Sequence, residues 1–119
     1  MKAALKKERR VHPRLAHRLP LKVAANGYDF ATTTENISCV GACCRIDKYV
    51  PPFTRVMVRL DLPINKAPKA KPCKVECKGV IVRSEDEDNG GFNVAIFFNA
   101  IRDNQRKIIS RYINRFLPE

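Results

Sequence analysis

Three arginines near the start of the chain are the side chains whose type and spacing best suit a specific chemistry. Arg9, Arg10 and Arg14 stand in the stretch ERRVHPR, beside Pro13. Guanidinium groups this close repel one another and add nothing to a hydrophobic core. A guanidinium is a planar fork of donors that matches a phosphate or the edge of a purine base, and it can also stack on the base. The cluster therefore indicates either a solvated tail or a site for an anion.

A second polar group stands in the stretch ENISCVG. Asn36 and Ser38 are two residues apart, so on a strand both side chains point to the same face. Gly41 has no side chain, so a flat ligand can approach the backbone there. The alternative interpretation is that Asn36 and Ser38 merely end a strand in an Asx or Ser turn. Taken alone, this stretch favours the turn.

The composition indicates a folded domain with an anionic partner. The chain has 119 residues, of which 45% are hydrophobic and 29% charged, and its net charge is +11. Residues 1–18 contain seven Lys and Arg but one Glu, which predicts a flexible basic arm. Charge alone does not distinguish nucleic acid, nucleotide and acidic membrane. Because no signal-peptide pattern and no run of ~20 apolar residues occurs, we expect a cytoplasmic protein without membrane insertion.

After the arm, the chain has the alternation and composition of strands. Six runs share these features: LPLKVAA, YDFATTTENI, CVGACCRI, RVMVRLDL, CKVECKGVIVRS and FNVAIFF. Asn26-Gly27 joins the first two, and this dipeptide favours a hairpin because a type I′ turn needs positive φ at both central residues. In the fourth run, Val56, Val58 and Leu60 are predicted to point inward. Gly79 in the fifth run predicts a bulge.

A helix is predicted at the end of the chain, over residues 101–117. Its apolar residues recur with helical spacing, at 101, 108, 109, 112, 113 and 116, with Asn99 or Asp103 as the cap. Strands do not alternate with helices before it, so a parallel sheet is disfavoured. The prediction is an all-β domain over residues 19–119, a six-stranded antiparallel β-barrel followed by a C-terminal helix.

Together, the two polar stretches resemble the motifs of the PilZ domain family. The family pattern has two parts. The first is Arg-x-x-x-Arg, and the second, a few dozen residues later, is [Asp/Asn]-x-Ser-x-x-Gly. Arg10 and Arg14 match the first part, and Asn36, Ser38 and Gly41 match the second. The resemblance extends over almost the whole chain, and the family fold is the barrel with a C-terminal helix described above. It implies binding of the bacterial second messenger cyclic di-GMP, without catalysis and without a metal or other cofactor.

The resemblance also implies a role for each motif residue. Arg10 and Arg14 would grip phosphate and guanine from the arm. Asn36 and Ser38 would hydrogen-bond a guanine and a nearby phosphate, and Gly41 would leave room for the base. Arg is well suited to this task, because Lys offers a phosphate only a point charge.

The resemblance also bears on the role of Arg9 and on what happens to the arm when the ligand binds. Some family members with an extra basic residue beside the first arginine bind two stacked ligands, so Arg9 is either a further ligand contact or a solvated charge. The arm is expected to order against the barrel when the ligand binds. The resemblance implies that this rearrangement presents a surface to a downstream protein, which the sequence does not identify, and so regulates motility, pili, biofilm or exopolysaccharide in a bacterial cytoplasm.

Three alternative functions are less well supported. A basic β-barrel that binds nucleic acid would suit the charge, but the first strands lack aromatic platforms and the chain has no Trp. A PilZ-like interaction module without nucleotide binding is disfavoured because the arginines are retained. An enzyme is disfavoured because no acid/base pair, nucleophile triad or Gly-rich phosphate loop occurs.

The cysteines and histidines have simpler interpretations than catalysis or metal binding. Two C-x₃-C spacings fall in the range of zinc ligands, namely Cys39 with Cys43 and Cys73 with Cys77, while Cys44 adjoins the first pair. Cysteine also behaves as a small buried hydrophobe, and we expect core packing rather than metal. His12 and His17 in the arm have no evident partner, so both are expected to be solvated or to lie beside the ligand.

Overall fold

Six antiparallel strands and a C-terminal helix make up the part of the chain that the structure describes. The structure is a computed structural model and describes residues 13–25, 27–63 and 73–116. Its elements are β1 (Pro20–Ala25), β2 (Tyr28–Ser38), β3 (Gly41–Ile46), β4 (Arg55–Leu62), β5 (Cys73–Asp86), β6 (Phe92–Ala100) and α1 (Asp103–Asn114). The strands close into a barrel in the order β1-β2-β3-β6-β5-β4. The predicted six-stranded barrel with a C-terminal helix is confirmed.

Alternating apolar residues form the interior of the barrel. In β4, Val56, Val58 and Leu60 are buried while the residues between them are more exposed, as predicted. Val23 and Leu21 of β1 pair with Val58 and Leu60 across the closing seam, and all four are buried. Burial of each such side chain contributes about 1.5–3 kcal/mol, so strand closure and core formation stabilise each other.

Two predicted irregularities shape the wall. Ala25 pairs with Tyr28 across a two-residue turn in which Gly27 has a φ of +76°, so the predicted hairpin is confirmed. The register of β5 against β6 shifts between Lys78 and Val80, at the glycine that predicted a bulge. A Cβ at Gly79 would lie 2.9 Å from Cγ2 of Ile96, so the bulge also needs a residue without a side chain.

The C-terminal helix packs on the barrel through one apolar face. Its buried residues are Ile109, Tyr112 and Ile113. The helix runs from Asp103 to Asn114, so it begins two residues later than predicted and ends before the predicted end at residue 117, which itself lies outside the described residues. Arg102 occupies the N-cap without a side-chain hydrogen bond, so the predicted cap at Asn99 or Asp103 was wrong. Asp103 instead lies in the first turn, where its negative charge interacts favourably with the helix dipole.

Residues 13–18, which the sequence assigned to the arm, lie against the barrel. Leu15 and Ile37 exchange two backbone hydrogen bonds, with N···O distances of 2.8 and 2.9 Å. Leu15 is 9% exposed and belongs to the core. This bridge gives β2 a partner on its β1 side at Ile37, beyond the point where β1 begins. Residues 1–12 of the predicted arm lie outside the described residues.

Candidate functional site

Arg14 and Asn36 meet on the outer wall of the barrel. Nη1 of Arg14 donates a hydrogen bond to Oδ1 of Asn36 over 2.8 Å, although the two residues are 22 positions apart. The same Nη1 lies 4.0 Å from Sγ of Cys43, the cross-strand partner of Asn36 on β3. A guanidinium has five N–H donors, so this contact leaves donors for an anion. The structure thus joins one residue from each of the two motifs.

Thr34 holds in place the segment that carries Arg14. Its side chain is fully buried, and its hydroxyl accepts a hydrogen bond from N–H of Leu19 at 2.9 Å. The same hydroxyl donates to the carbonyl oxygen of His17 at 2.5 Å. These two bonds fix the backbone just before Pro20, which has no N–H of its own to donate. Sequence reasoning missed Thr34, although strand alternation could have indicated that one of three consecutive threonines points inward.

His17 connects this segment to the C-terminal helix. Its Nδ1 lies 2.8 Å from the hydroxyl oxygen of Tyr112. Its ring packs edge-on against Phe116, with ring centroids 4.4 Å apart. Burial raises the pKa of Tyr112, and the nearby Arg115 charge opposes this shift. His17 is therefore not the solvated side chain that the sequence suggested, whereas His12 lies outside the described residues.

The stretch from Asn36 to Gly41 is a tight hairpin between β2 and β3. Ser38 pairs with Gly41, and the Ser38 hydroxyl accepts from N–H of Val40 at 3.2 Å and contacts the carbonyl oxygen of Gly41 at 3.4 Å. Ser38 is only 1% exposed, so it forms the Ser turn of the alternative interpretation. Gly41 is buried, and a Cβ there would lie 2.5 Å from the carbonyl oxygen of Ile96.

Asn36 is the residue of this hairpin motif whose side chain remains partly exposed. Ser38 and Gly41 shape the turn and the wall that present it. Their direct contact with a ligand stays a prediction. Arg9 and Arg10 lie outside the described residues, so their part in the site also stays a prediction.

The cysteines lie within the barrel or on its wall. Cys39, Cys44 and Cys77 belong to the hydrophobic core, as expected. Cys43 is also buried, at 7% exposure, with its Sγ 4.0 Å from Nη1 of Arg14, and Cys73 is half-buried. Burial, with smaller contributions from Cys43 and Glu35, raises the pKa of the Cys44 thiol to about 12. Within the described ranges, no group of three or more His, Cys, Asp or Glu side chains could hold a metal ion.

Comparison with known proteins identifies the family. The family model described as PilZ domain matches residues 8–115, which is most of the chain. This chain belongs to the PilZ domain family. A search of curated proteins finds no significant match. In the part of this PilZ chain that the structure describes, no helix has both the length and the apolar character needed to cross a bilayer.

Two solved structures share the fold of this PilZ domain. The inhibitor of motility MotI/DgrA from Bacillus subtilis superposes with a TM-score of 0.78 at 15% identity, over 89% of this chain and 50% of that chain. The PilZ domain of YcgR from Escherichia coli, solved with c-di-GMP, superposes with a TM-score of 0.61 at 10% identity, over 90% of each chain. This PilZ chain therefore spans half the length of MotI/DgrA. At these identities the likeness establishes the fold alone.

Proposed function

We propose that this PilZ protein is a cyclic di-GMP receptor that regulates motility or a related bacterial surface behaviour through contact with another protein. The E. coli YcgR domain was solved with this ligand, and the B. subtilis relative is an inhibitor of motility. The observation that carries the proposal is the 2.8 Å hydrogen bond between Arg14 and Asn36. It unites the arginine motif with the Asn-x-Ser-x-x-Gly motif at one point on the wall.

The chemistry of the two side chains suits this ligand. Cyclic di-GMP carries two phosphodiesters and two guanines, so it needs cationic donors and partners for the base edges. Arg14 supplies a fork of donors that fits a phosphate or the O6/N7 edge of guanine. Asn36 accepts from Arg14 through Oδ1, which leaves its amide N–H groups to donate to the ligand. Arg10, from the arm, supplies the second cation, and the net charge of +11 favours capture of a dianion.

The segment before β1 provides the route from ligand to partner. Arg14 lies three residues before His17, and His17 contacts Tyr112 and Phe116 at the end of α1. A ligand that draws Arg10 toward Arg14 orders the part of the arm that carries Arg10 against the wall and alters the surface beside α1. A downstream protein in the bacterial cytoplasm then recognises that surface. The receptor acts by binding, not by catalysis.

Calorimetric titration with cyclic di-GMP tests the proposal. The wild-type chain is expected to bind in the micromolar range or tighter, about −8 kcal/mol or better. Because a hydrogen bond to a charged group contributes about 1.5–3 kcal/mol, Arg14→Ala should weaken binding roughly 10- to 150-fold. Arg14→Lys should restore only part of this loss, since an ammonium cannot make a bidentate contact.

Arg106→Ala is the matched control, because it removes another exposed arginine, on α1, and an equal charge. It should bind nearly as well as the wild type, with a small general loss from the lower net charge. Absence of wild-type binding, or equal weakening by Arg106→Ala and Arg14→Ala, would contradict the proposal.

A further inference from the structure

A row of small side chains crosses the outer wall beside Arg14. Asn36, Cys43 and Ala95 are successive cross-strand partners on β2, β3 and β6, and Arg83 continues the row on β5. Adjacent strands lie about 4.8 Å apart, so the row spans roughly 14 Å. Its middle consists of the Cys43 thiol, which is only 7% exposed, and the methyl group of Ala95; Arg83 stands at one end, and Arg14 is bonded to Asn36 at the other. A flat anionic molecule therefore finds a shallow floor with a cation on either side.

Phe97 borders this floor. It lies two residues along β6 from Ala95 and on the same face, between the buried Ile96 and Phe98. Its side chain is 46% exposed, so the ring is not needed to fill the core. Gly41 is the direct partner of Phe97, which makes Cys43 its diagonal neighbour on β3, with Cα atoms roughly 7–8 Å apart. The register therefore places Phe97 on the wall beside Cys43, whose sulfur atom lies 4.0 Å from Nη1 of Arg14.

The opposite border of the floor is charged. Oε1 of Glu35 accepts a hydrogen bond from Asn93 at 2.6 Å, and Asn93 pairs with Glu85 on β5. Glu85 also forms an ion pair with Arg83 over 3.4 Å. The same border holds Arg45, the β3 partner of Asn93, whose guanidinium donates to the carbonyl oxygens of Asn89 and Gly90, whereas the Phe97 side presents an aromatic ring on which a base can stack. The base of a nucleotide on the floor thus has its aromatic stacking surface on the Phe97 side.

We propose that Phe97 is the stacking surface for a guanine of bound cyclic di-GMP. The base lies over Ala95, with the Phe97 ring on one side and the Arg14 guanidinium on the other. This inference rests on the proposed function and adds a contact that neither motif contains. Stacking of a base on an aromatic side chain contributes enough that its removal lowers affinity roughly 5- to 150-fold.

Two substitutions at Phe97 separate stacking from simple apolar contact. Phe97→Tyr keeps the aromatic ring, and we expect affinity for cyclic di-GMP within about twofold of the wild type. Phe97→Leu keeps apolar bulk but removes the π-face, and we expect at least a 5-fold loss, from the lower bound for stacking. Met57→Leu on β4 is the control, because Met57 is 51% exposed on the same outer surface yet away from the floor. It should bind as the wild type does.

A fluorescence measurement gives a second readout that needs no loss of affinity. The chain has no tryptophan, so Phe97→Trp introduces a single reporter at the proposed stacking position. Addition of cyclic di-GMP should quench its emission with the same midpoint as the calorimetric titration. A tryptophan placed by Met57→Trp should keep its emission unchanged.

The outcomes distinguish this inference from the proposed function. If the wild type binds, Arg14→Ala loses affinity and Phe97→Leu does not, the stacking role is wrong while the receptor function stands. Unquenched emission from Phe97→Trp in a variant that still binds would overturn the stacking role in the same way. If the wild type does not bind, both proposals are wrong. Thermal unfolding of each variant checks the fold, and the tryptophan readout decides the question if Phe97→Leu is unstable.

Discussion

Replacing Thr34 with valine tests how the barrel holds the segment that carries Arg14. The substitution keeps the size of the side chain, so it opens no cavity, but it removes the hydroxyl. N–H of Leu19 then loses its acceptor, and the carbonyl oxygen of His17 loses its donor. Both groups belong to the short connection between the Arg14 contact and β1.

The magnitude follows from the surroundings of these two groups. Leu19 is buried, so its unpaired N–H costs about 1–3 kcal/mol. His17 is partly exposed, so water can replace the donor to its carbonyl group at a smaller cost. We expect Thr34→Val to lower the free energy of unfolding by about 2–3 kcal/mol. For a domain of this size, that corresponds to a fall in Tm of roughly 6–15 °C.

Urea unfolding followed by circular dichroism measures the loss, and amide hydrogen exchange locates it. Exchange at Leu19 should accelerate more than exchange in the interior of β4, because the bonds lost are local. Thr32→Val is the control, since its hydroxyl donates 2.6 Å to the carbonyl oxygen of Arg45 at an exposed position. We expect this variant to lose less than about 1 kcal/mol.

Two results would refute the reasoning. One is a loss at Thr34→Val that does not exceed the loss at Thr32→Val. The other is unchanged protection of the Leu19 amide. Either would mean that the backbone pairing of Leu15 with Ile37, rather than the Thr34 hydroxyl, holds the segment in place.

Two further predictions concern the wall and the core. Gly41→Ala should lower the free energy of unfolding in urea by about 1–3 kcal/mol or more, because its Cβ would lie 2.5 Å from a backbone oxygen. Gly27→Ala is the control, because its Cβ would meet no atom within 4 Å and the only cost comes from its positive φ. Burial raises the pKa of the thiols of Cys44 and Cys77 to about 12 and about 11, so both should resist a thiol reagent in the folded chain at pH 8 and react on unfolding. An unfolded thiol ionises near pH 8.5, so the free energy of unfolding should fall as the pH rises above that value. Urea unfolding that shows no such decline would contradict the conclusion that both buried thiols stay neutral.

Much of the fold could be predicted from the sequence because strand alternation reports directly which side chains are buried. The alternation in β4 and the hairpin at Asn26-Gly27 required no knowledge of distant residues. The start of α1 was less predictable, because Ile101 fits the apolar spacing of the helix although the helix begins only after Arg102, which is still extended. Its N-cap at Arg102 has no side-chain hydrogen bond, so no residue type could signal it.

The site was predictable only in part, for a physical reason. The motifs indicated that Arg14 and Asn36 share a task, and the structure places them in contact. Ser38 is different, because its polarity suggested a ligand contact whereas its hydroxyl is engaged in the turn. The partners of Thr34 and His17 depend on how β1, β2 and α1 pack, and local sequence carries no signal for such long-range contacts.

Closure of the ring limits what a partner protein of the kind proposed could recognise on this molecule. Each of the six described strands has a hydrogen-bonded strand on both sides, since β4 pairs with β1 as well as with β5. Among the described strands, unpaired main chain is confined to stretches that extend past a neighbour, such as the start of β2 on its β3 side, so an incoming peptide finds little edge to pair with. A regulatory partner of the kind proposed would therefore recognise mainly side chains on the outside of the barrel and on the segments packed against it, and its selectivity would come from those side chains.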